Sequence, residues 1–187
     1  PARHPRPHPL LGTGDRWSAG VEALARASHS DRGALSPAYF IALAEETSLL
    51  VPVGECVLRE VCSTLRRLGD ATSQKLFIAL NVSGRQLEDA DFVERILAQV
   101  HAHGVAPAQL KLEITESLVL DYAKVATLIQ HSHRAGKKVA LDDFGTGYSN
   151  LGHLHKLAFD TLKLYQSFVR QLDDSRCLPI VRVVIAL

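Results

Sequence analysis

Two adjacent acidic residues at the end of an apolar segment are the most informative feature of this sequence. Val139-Ala140-Leu141 predicts a short buried strand, and Asp142 and Asp143 follow it directly, before a loop with two glycines. Neighbouring carboxylates repel each other, so holding them where a buried strand leaves the core is unfavourable unless a cation or a proton compensates. The pattern therefore predicts a cation site at Asp142, and Asp143 could serve a second cation.

The same pattern, a short apolar segment followed by a polar residue, recurs along the chain. The polar residues are Glu22, Asn81, Glu113, Asp142 and Lys163, separated by 59, 32, 29 and 21 positions. A strand with its following helix takes roughly 30 residues, and amphipathic stretches lie between the apolar segments. Alternating strands and helices predict a parallel sheet with helices outside it. Because the carboxyl ends of parallel strands meet at one edge, we expect the five side chains to converge.

The helices that separate these strands are predicted from caps and from a 3.6-residue apolar period. Ser36 and Pro37 are typical of a helix start, and Phe40, Leu43 and Ala44 mark its apolar face. Further helical patterns cover residues 56–68, 92–100 and 125–135, and Gly104 and Gly136 follow the last two.

The donor set favours a hard divalent cation. Apart from Lys163, every member offers an oxygen ligand, and no Cys or His joins the set, so Mg²⁺ or Mn²⁺ fits better than zinc. Two such ions about 3.5–4 Å apart are the usual apparatus for phosphodiester hydrolysis. Lys163 could orient the attacking water or neutralise a phosphate, and Arg26, four residues after Glu22, could hold a phosphate oxygen.

Each residue also has a simpler explanation. A single acidic residue at a strand end is more often a helix cap or a surface charge, Asp142 and Asp143 could cap a turn, and Lys163 could extend to solvent. The occurrence of such residues at five strand ends favours the site. The paired histidines, such as His131 and His133, lie two apart on predicted helices and cannot chelate one ion together.

The composition predicts one globular domain. The chain has 187 residues, 47% of them hydrophobic, and a net charge of +1, which offers no basic footprint for DNA. No apolar run approaches the ~18–20 residues that span a membrane. The prolines of the segment 1–18 disfavour regular structure, so we expect a linker or a degenerate first strand before a domain at 19–187. The three cysteines lack CxxC spacing and are expected to be buried, inert thiols of a reducing cytoplasm.

Several longer motifs follow one another in a characteristic order. Glu22-Ala23-Leu24 is too short to be specific, but it lies within the longer match 20–26. The further motifs are Ser36-Pro37 to Ile41, Leu43 to Thr47, Asn81-Val82-Ser83 with Arg85-Gln86, Leu112 to Ser117, Asp142 to Ser149, Asp160 to Lys163 and Ser167 to Val169. In these motifs the sequence resembles the EAL domain family, bacterial phosphodiesterases and receptors of cyclic di-GMP, from about Gly20 to the last residue.

The resemblance implies a modified TIM barrel, a (β/α)8 fold of α/β class, and a two-metal site. By resemblance, the metal ligands are Glu22, Asn81, Glu113 and Asp142, with Asp143 serving the second metal. Lys163 would assist the catalytic water, and Glu116 would anchor the loop 143–149, which the family also links to dimerisation. Arg26 would hold a phosphate and Asp160 would contact a guanine. The implied reaction is hydrolysis of cyclic di-GMP to linear pGpG with Mg²⁺ or Mn²⁺, in bacterial signalling in the cytoplasm.

Some positions depart from the family pattern. Tyr165 stands where the family has Asp, Ala27 where it has Trp, and Pro7-His8-Pro9 where it has Tyr-Gln-Pro. The sequence also ends before the family's last Glu and Gln motifs, so about two βα units are expected to be absent and the isolated chain inactive. The implied partners are a second EAL domain and a fused sensory or GGDEF domain.

Two hypotheses follow. The domain is a cyclic di-GMP phosphodiesterase by descent, or it is a degenerate EAL domain that binds cyclic di-GMP or a protein without turnover. The change at Tyr165 favours the second hypothesis, whereas the retained set of oxygen donors favours the first. A purely structural helper domain would not explain the polar residues at the strand ends.

Overall fold

The computed structural model describes residues 3–11, 19–71, 76–146, 156–165 and 167, and these form an α/β domain. Its strands are β1 (Arg3–Leu11), β2 (Ala19–His29), β3 (Gly33–Leu35), β4 (Phe77–Asn81), β5 (Leu110–Thr115), β6 (Lys138–Phe144) and β7 (Thr161–Leu164). Its α-helices are α1 (Pro37–Glu46), α2 (Leu50–Ala71), α3 (Gly84–Leu87), α4 (Phe92–Ala102) and α5 (Tyr122–Arg134). Short 3-10 turns at Pro107–Gln109 and Glu116–Leu120 flank β5.

The predicted parallel sheet is confirmed. Its strand order is β1-β2-β4-β5-β6-β7, with β3 paired to β2 outside this path. Every neighbouring pair from β2 to β7 along the path is parallel. Helices lie between β2 and β4, between β4 and β5 and between β5 and β6, as in a βα barrel. Among the described residues the sheet remains an open path from β1 to β7 and does not close into a ring.

The register of the parallel strands sets the polar residues in a staggered row across the sheet. Glu22 lies opposite Ala79, Asn81 lies opposite Glu113, and Thr115 lies opposite Asp142. These residues belong to the strands rather than following them, since β5 continues for two residues past Glu113 and β6 for two past Asp142. A polar side chain need not end a strand here because alternate residues face the other side of the sheet and remain buried.

The proline-rich start of the chain is a strand over Arg3–Leu11, which pairs antiparallel with β2 at the end of the sheet. Segment 1–18 is expected from the sequence to be a linker or a degenerate first strand, and its described part is a strand. The expectation that its prolines disfavour regular structure is wrong for these residues. Pro7 and Pro9 lie two apart, so both lack the N–H on the same backbone edge. A strand at the end of a sheet tolerates this arrangement, because one of its edges has no partner strand on the path.

The core lies between the sheet and the helices and follows the predicted periodicity. The buried face of α2 includes Leu58, Val61 and Leu65, and that of α4 includes Ile96 and Val100. The predicted cap is present, since Ser36 Oγ accepts a hydrogen bond of 3.3 Å from the Tyr39 N–H. Two glycines end helices with left-handed backbone, at φ +65° for Gly104 and +69° for Gly136.

Burial differs from the sequence pattern at Leu43, and the prediction of a buried thiol is wrong for Cys56. Leu43 is 46% exposed, because α1 buries Phe40 and Ala44 on a narrower face than the sequence pattern indicates. Cys56 is exposed, whereas Cys62 is fully buried, because only Cys62 lies on the face of α2 that meets the sheet. The predictions for Cys177, for the motif 167–169 beyond Ser167 and for the loop 147–149 lie outside the described residues.

Candidate metal centre

Three carboxylates from three strands meet at one point of the sheet. Glu22 on β2, Glu113 on β5 and Asp142 on β6 each offer one oxygen, and these oxygens lie within 4.8 Å of one another. The three residues are far apart in the sequence, and the parallel register brings them together. The predicted convergence is therefore present in the structure, and we refer to these three residues as the acid cluster.

Lys163 on β7 joins the acid cluster from the fourth strand. Its Nζ donates hydrogen bonds of 2.8 Å to Glu113 Oε2 and 2.7 Å to Asp142 Oδ2, and it lies 3.6 Å from Glu22 Oε2. Burial alone would lower the pKa of Lys163, but the hydrogen bonds to Asp142 and Glu113 outweigh it, and the pKa is held well above its ordinary value. The side chain therefore remains an ammonium at neutral pH.

Glu113 is the most enclosed member of the acid cluster. The residue is 1% exposed, and its Oε1 has no hydrogen-bond partner among the described residues. Burial raises the pKa of Glu113, the hydrogen bond from Lys163 opposes this effect, and the charges of Asp142 and Glu22 add to it. A buried carboxylate oxygen without a partner is unfavourable in a folded protein. A cation at this point would satisfy it.

The charge and the donor chemistry of the cluster fit a divalent cation. Three carboxylates and one ammonium carry a formal charge of −2, and all the free donor atoms are oxygens. Asn81 lies beside the group, and its Nδ2 donates a hydrogen bond of 2.7 Å to Glu22 Oε1. Its amide oxygen is then available as a further ligand for a cation. Oxygen ligands of this kind suit Mg²⁺ or Mn²⁺.

Asp143 lies beside the acid cluster but is not a member of it. Its backbone has a φ of +54°, and its N–H donates a hydrogen bond of 2.8 Å to Asp142 Oδ1. The residue is exposed. Desolvation raises the pKa of its carboxyl, and the negative charge of Asp142 raises it further. The left-handed backbone of Asp143 thus accompanies a hydrogen bond that holds the Asp142 carboxylate, while Phe144 remains in β6.

Glu116 holds the start of the loop that follows β6. This residue is 2% exposed, and its Oε2 accepts hydrogen bonds from the N–H groups of Gly145, at 2.9 Å, and Thr146, at 2.7 Å. The hydroxyl of Thr146 donates a third hydrogen bond of 2.8 Å to the same oxygen. The contact joins the turn after β5 to the turn after β6, so it fixes the segment that carries Asp142 and Asp143.

Two predicted site residues lie apart from the cluster. Arg26 is four residues after Glu22 on β2, about 13 Å further along an extended strand, and its Nη1 donates to the Ala25 carbonyl at 2.9 Å. Asp160 precedes β7, at the opposite end of that strand from the acid cluster. Its Oδ2 accepts a hydrogen bond of 2.8 Å from the Val139 N–H and lies 2.9 Å from His133 Nε2.

Sequence reasoning missed Lys111, which lies on β5 two residues before Glu113. Its Nζ donates a hydrogen bond of 3.1 Å to Thr161 Oγ1 and lies 4.4 Å from the centre of the Phe77 ring. The two-residue period of a strand could have identified it, because that period puts Lys111 on the same face as Glu113.

A parallel βα sheet with clustered carboxylates and a lysine is the arrangement of a TIM-barrel domain with a candidate metal site. The EAL domain family model matches residues 9–187, and the chain belongs to the EAL domain family. The match begins ten positions before Ala19, where the sequence analysis sets the start of the domain.

Relatives and solved structures agree with this assignment. The chain is 40% identical over 157 residues to a cyclic di-GMP phosphodiesterase of Pseudomonas aeruginosa, a match over 83% of this chain and 27% of the relative. It is 38% identical over 170 residues to the bifunctional diguanylate cyclase/cyclic di-GMP phosphodiesterase MucR of the same organism, over 90% of this chain and 25% of MucR. The solved structure of the PaMucR phosphodiesterase in complex with c-di-GMP superposes with a TM-score of 0.80 at 36% identity, covering 89% of this chain and 68% of that one.

The fold is therefore that of the EAL TIM barrel, as predicted. The chain spans about a quarter of the length of the curated relatives it matches. Within the part of the chain that the structure describes, none of the helices has the length and apolar character needed to cross a membrane.

Proposed function

We propose that this domain belongs to a metal-dependent phosphodiesterase that hydrolyses cyclic di-GMP to pGpG. The observation that carries the proposal is the acid cluster with Lys163, in which three carboxylates from separate strands share one cation-sized space. Relatives with 38–40% identity are cyclic di-GMP phosphodiesterases, which supports the same substrate.

The residues that would hold the first metal ion are Glu22, Asn81, Glu113 and Asp142, and Asp143 would serve a second ion. Mg²⁺ or Mn²⁺ bound there would lower the pKa of a coordinated water and stabilise the charge of a phosphate oxygen. Glu113 would supply a buried oxygen that has no hydrogen-bond partner in the described part of the chain, and Glu22 and Asn81 are held together by their own hydrogen bond. This arrangement supports the proposal, because preorganised ligands would lower the cost of ordering the site when an ion binds.

Lys163 would act on the water and the phosphate rather than on the metal ion. Its ammonium has three donor positions, and carboxylates of Glu113 and Asp142 fix two of them. The third could hold a water in line with the phosphorus atom. Attack by that water breaks the bond to the 3′ oxygen of the ribose, which takes up a proton, and leaves a 5′ phosphate on the linear product. Arg26 would hold a phosphate oxygen further along β2.

Glu116 would set the position of the loop that follows the ligands. Three donors on Gly145 and Thr146 bind one of its carboxylate oxygens, so the turn after Asp143 cannot move without breaking them. Hydrogen bonds to a charged acceptor are stronger than neutral ones. Family resemblance also links this loop to a homodimer, and a fused GGDEF or sensory domain remains a prediction of the same kind.

The second candidate is a receptor that binds cyclic di-GMP without turnover. Tyr165 favours it, because the family has a carboxylate at this position, two residues after Lys163. Its N–H donates to the Phe144 carbonyl at 3.0 Å, so the backbone pairing is kept while the acidic side chain is lost.

Chromatography of the products separates the two functions. The protein is incubated with cyclic di-GMP and Mn²⁺ or Mg²⁺, and pGpG is measured beside nucleotide binding by calorimetry. The phosphodiesterase predicts pGpG, which Glu113→Gln and Lys163→Met abolish and which the exposed control Lys156→Met leaves unchanged. Binding without pGpG would establish the receptor, and neither binding nor pGpG would contradict both.

A further inference from the structure

A second side-chain link runs parallel to the one that holds Lys163. Lys163 on β7 donates to Glu113 on β5, and Lys111 on β5 donates to Thr161 on β7. Both links join residues 50 positions apart. Lys111 lies two residues before Glu113 on β5, and Thr161 lies two residues before Lys163 on β7. Because strand residues two apart share a face, both links lie on the inner face of the sheet, one level apart.

The second link crosses β6, which lies between β5 and β7. The residue of β6 that pairs with both Glu113 and Thr161 is Ala140, which is completely buried. Strands lie about 4.8 Å apart, so Lys111 must extend over this residue to reach Thr161. A methyl group leaves room for that path, whereas a larger side chain would occupy it.

The ammonium of Lys111 is held from the other side by an aromatic ring. Its Nζ lies 4.4 Å from the centre of the Phe77 ring on β4, a cation–π contact. That ring in turn lies directly against Gly20 on β2, where an added Cβ would collide with it. Lys111 thus connects β4 to β7 beneath the acid cluster.

We propose that Lys111 is a positioning residue for the metal centre: its hydrogen bond to Thr161 over Ala140 sets β7 against β5 so that Lys163 meets Glu113 and Asp142. The inference rests on the proposed function. Lys111 touches neither the substrate site nor the reacting atoms, and it acts through the strands that carry Glu113 and Lys163. The positive charge one level below the cluster also offsets part of its negative charge.

The test compares variants that break the link with variants that keep it. Lys111→Met keeps an unbranched aliphatic side chain but loses the hydrogen-bond donor. Thr161→Val loses the acceptor hydroxyl, whereas the matched variant Thr161→Ser keeps it. Lys138→Met is the matched control, because Lys138 lies opposite Lys111 on β6 and is exposed. We expect kcat to fall about tenfold in Lys111→Met and Thr161→Val, with KM within twofold of the parent, and to be retained in Thr161→Ser and Lys138→Met.

A second readout does not depend on turnover. Electron paramagnetic resonance measures the Mn²⁺ dissociation constant, which we expect to rise at least threefold in Lys111→Met and to stay unchanged in Lys138→Met. The variant that combines Lys111→Met with Thr161→Val should lose no more than either alone, because the two residues form one link. Circular dichroism establishes that each variant is folded.

The two proposals fail in different ways. If the parent protein binds Mn²⁺ and nucleotide without forming pGpG, the phosphodiesterase proposal is contradicted. The positioning role of Lys111 is then still tested by comparing the Mn²⁺ dissociation constants of the parent and Lys111→Met. Parental Mn²⁺ affinity in folded Lys111→Met, or additive effects of Lys111→Met and Thr161→Val, would overturn the positioning role.

Discussion

Asp142 Oδ2 lies 2.7 Å from Lys163 Nζ, because the two residues, 21 positions apart in the sequence, lie on neighbouring strands. The same ammonium contacts Glu113 and Glu22, so one cation holds three carboxylates together. Removing one partner from a buried ion pair leaves a buried charge without compensation, as it would here at Glu113, and such changes cost about 3–5 kcal/mol.

We therefore expect Lys163→Met to lower the free energy of unfolding by about 3 kcal/mol or more at pH 7. The loss should shrink as the pH falls towards 4, because protonation of the carboxylates removes their repulsion. Urea unfolding at several pH values measures both effects. Lys156→Met removes an exposed ammonium and should change the free energy of unfolding by less than about 0.5 kcal/mol. Equal losses in the two variants would contradict the prediction.

Glu116→Gln tests the anchor of the loop after β6. The amide keeps one acceptor oxygen but loses the charge that three donors on Gly145 and Thr146 share. We expect the stability to fall by about 2 kcal/mol, within the range for hydrogen bonds to charged groups. Hydrogen exchange at the Gly145 and Thr146 amides should become faster, whereas Glu46→Gln, an exposed control on α1, should leave it unchanged. Unchanged exchange in Glu116→Gln would show that the carboxylate does not fix the loop.

The sequence was sufficient to predict which strands meet and which residues they carry. Apolar segments at intervals of about one βα unit predicted the parallel order, and the common direction of the strands then put Glu22, Glu113 and Asp142 near one another. The prediction succeeded because a parallel strand whose face packs against helices has few registers that keep its apolar residues buried.

Other features depend on tertiary packing that the pattern does not contain. The exposure of Leu43 depends on which elements cover α1, and the reach of Lys111 depends on the size of Ala140 on a strand between. The position of Asp160 was accessible from chain direction, because this residue precedes β7 while Lys163 lies within it. Family resemblance alone linked Asp160 to the nucleotide.

Asp160→Asn tests that link. In the structure Asp160 accepts from the Val139 N–H and lies 2.9 Å from His133 Nε2, away from the acid cluster. We expect the variant to lose about 1 kcal/mol of stability and to bind cyclic di-GMP within twofold of the parent, because the contacts it weakens join β7 to β6 and α5. Calorimetry with the nucleotide and urea unfolding provide the two measurements, with exposed Asp31→Asn as the control. A tenfold loss of affinity at unchanged stability would support the guanine contact instead.

Lys137 predicts a pH dependence that originates away from the metal centre. The residue is 2% exposed, and its Nζ has no hydrogen-bond partner among the described residues. Burial lowers the pKa of Lys137 from 10.5 to about 8, although the neighbouring Glu94 carboxylate opposes the shift. The folded protein therefore releases this proton more readily than the unfolded chain does.

The sign follows from this difference in proton binding. Between pH 8 and 10.5 the unfolded chain binds more protons at Lys137 than the folded protein does, so the contribution of Lys137 to stability rises with pH across this window. Below pH 8 both states are charged, and the folded state bears the full cost of the buried ammonium, roughly 3 kcal/mol.

Lys137→Met should therefore be more stable than the parent at pH 7, and the gap should close as the pH rises from 8 to 10.5. Urea unfolding of both proteins at matched pH values measures the gap. The thiol of Cys62, whose pKa burial raises to about 11, is present in both proteins, so the comparison isolates the lysine. Lys138→Met, one residue further on and exposed, should show no such gap. A gap that stays constant between pH 7 and 10.5 would mean that Lys137→Met acts by packing alone, because a packing effect does not follow the loss of a proton.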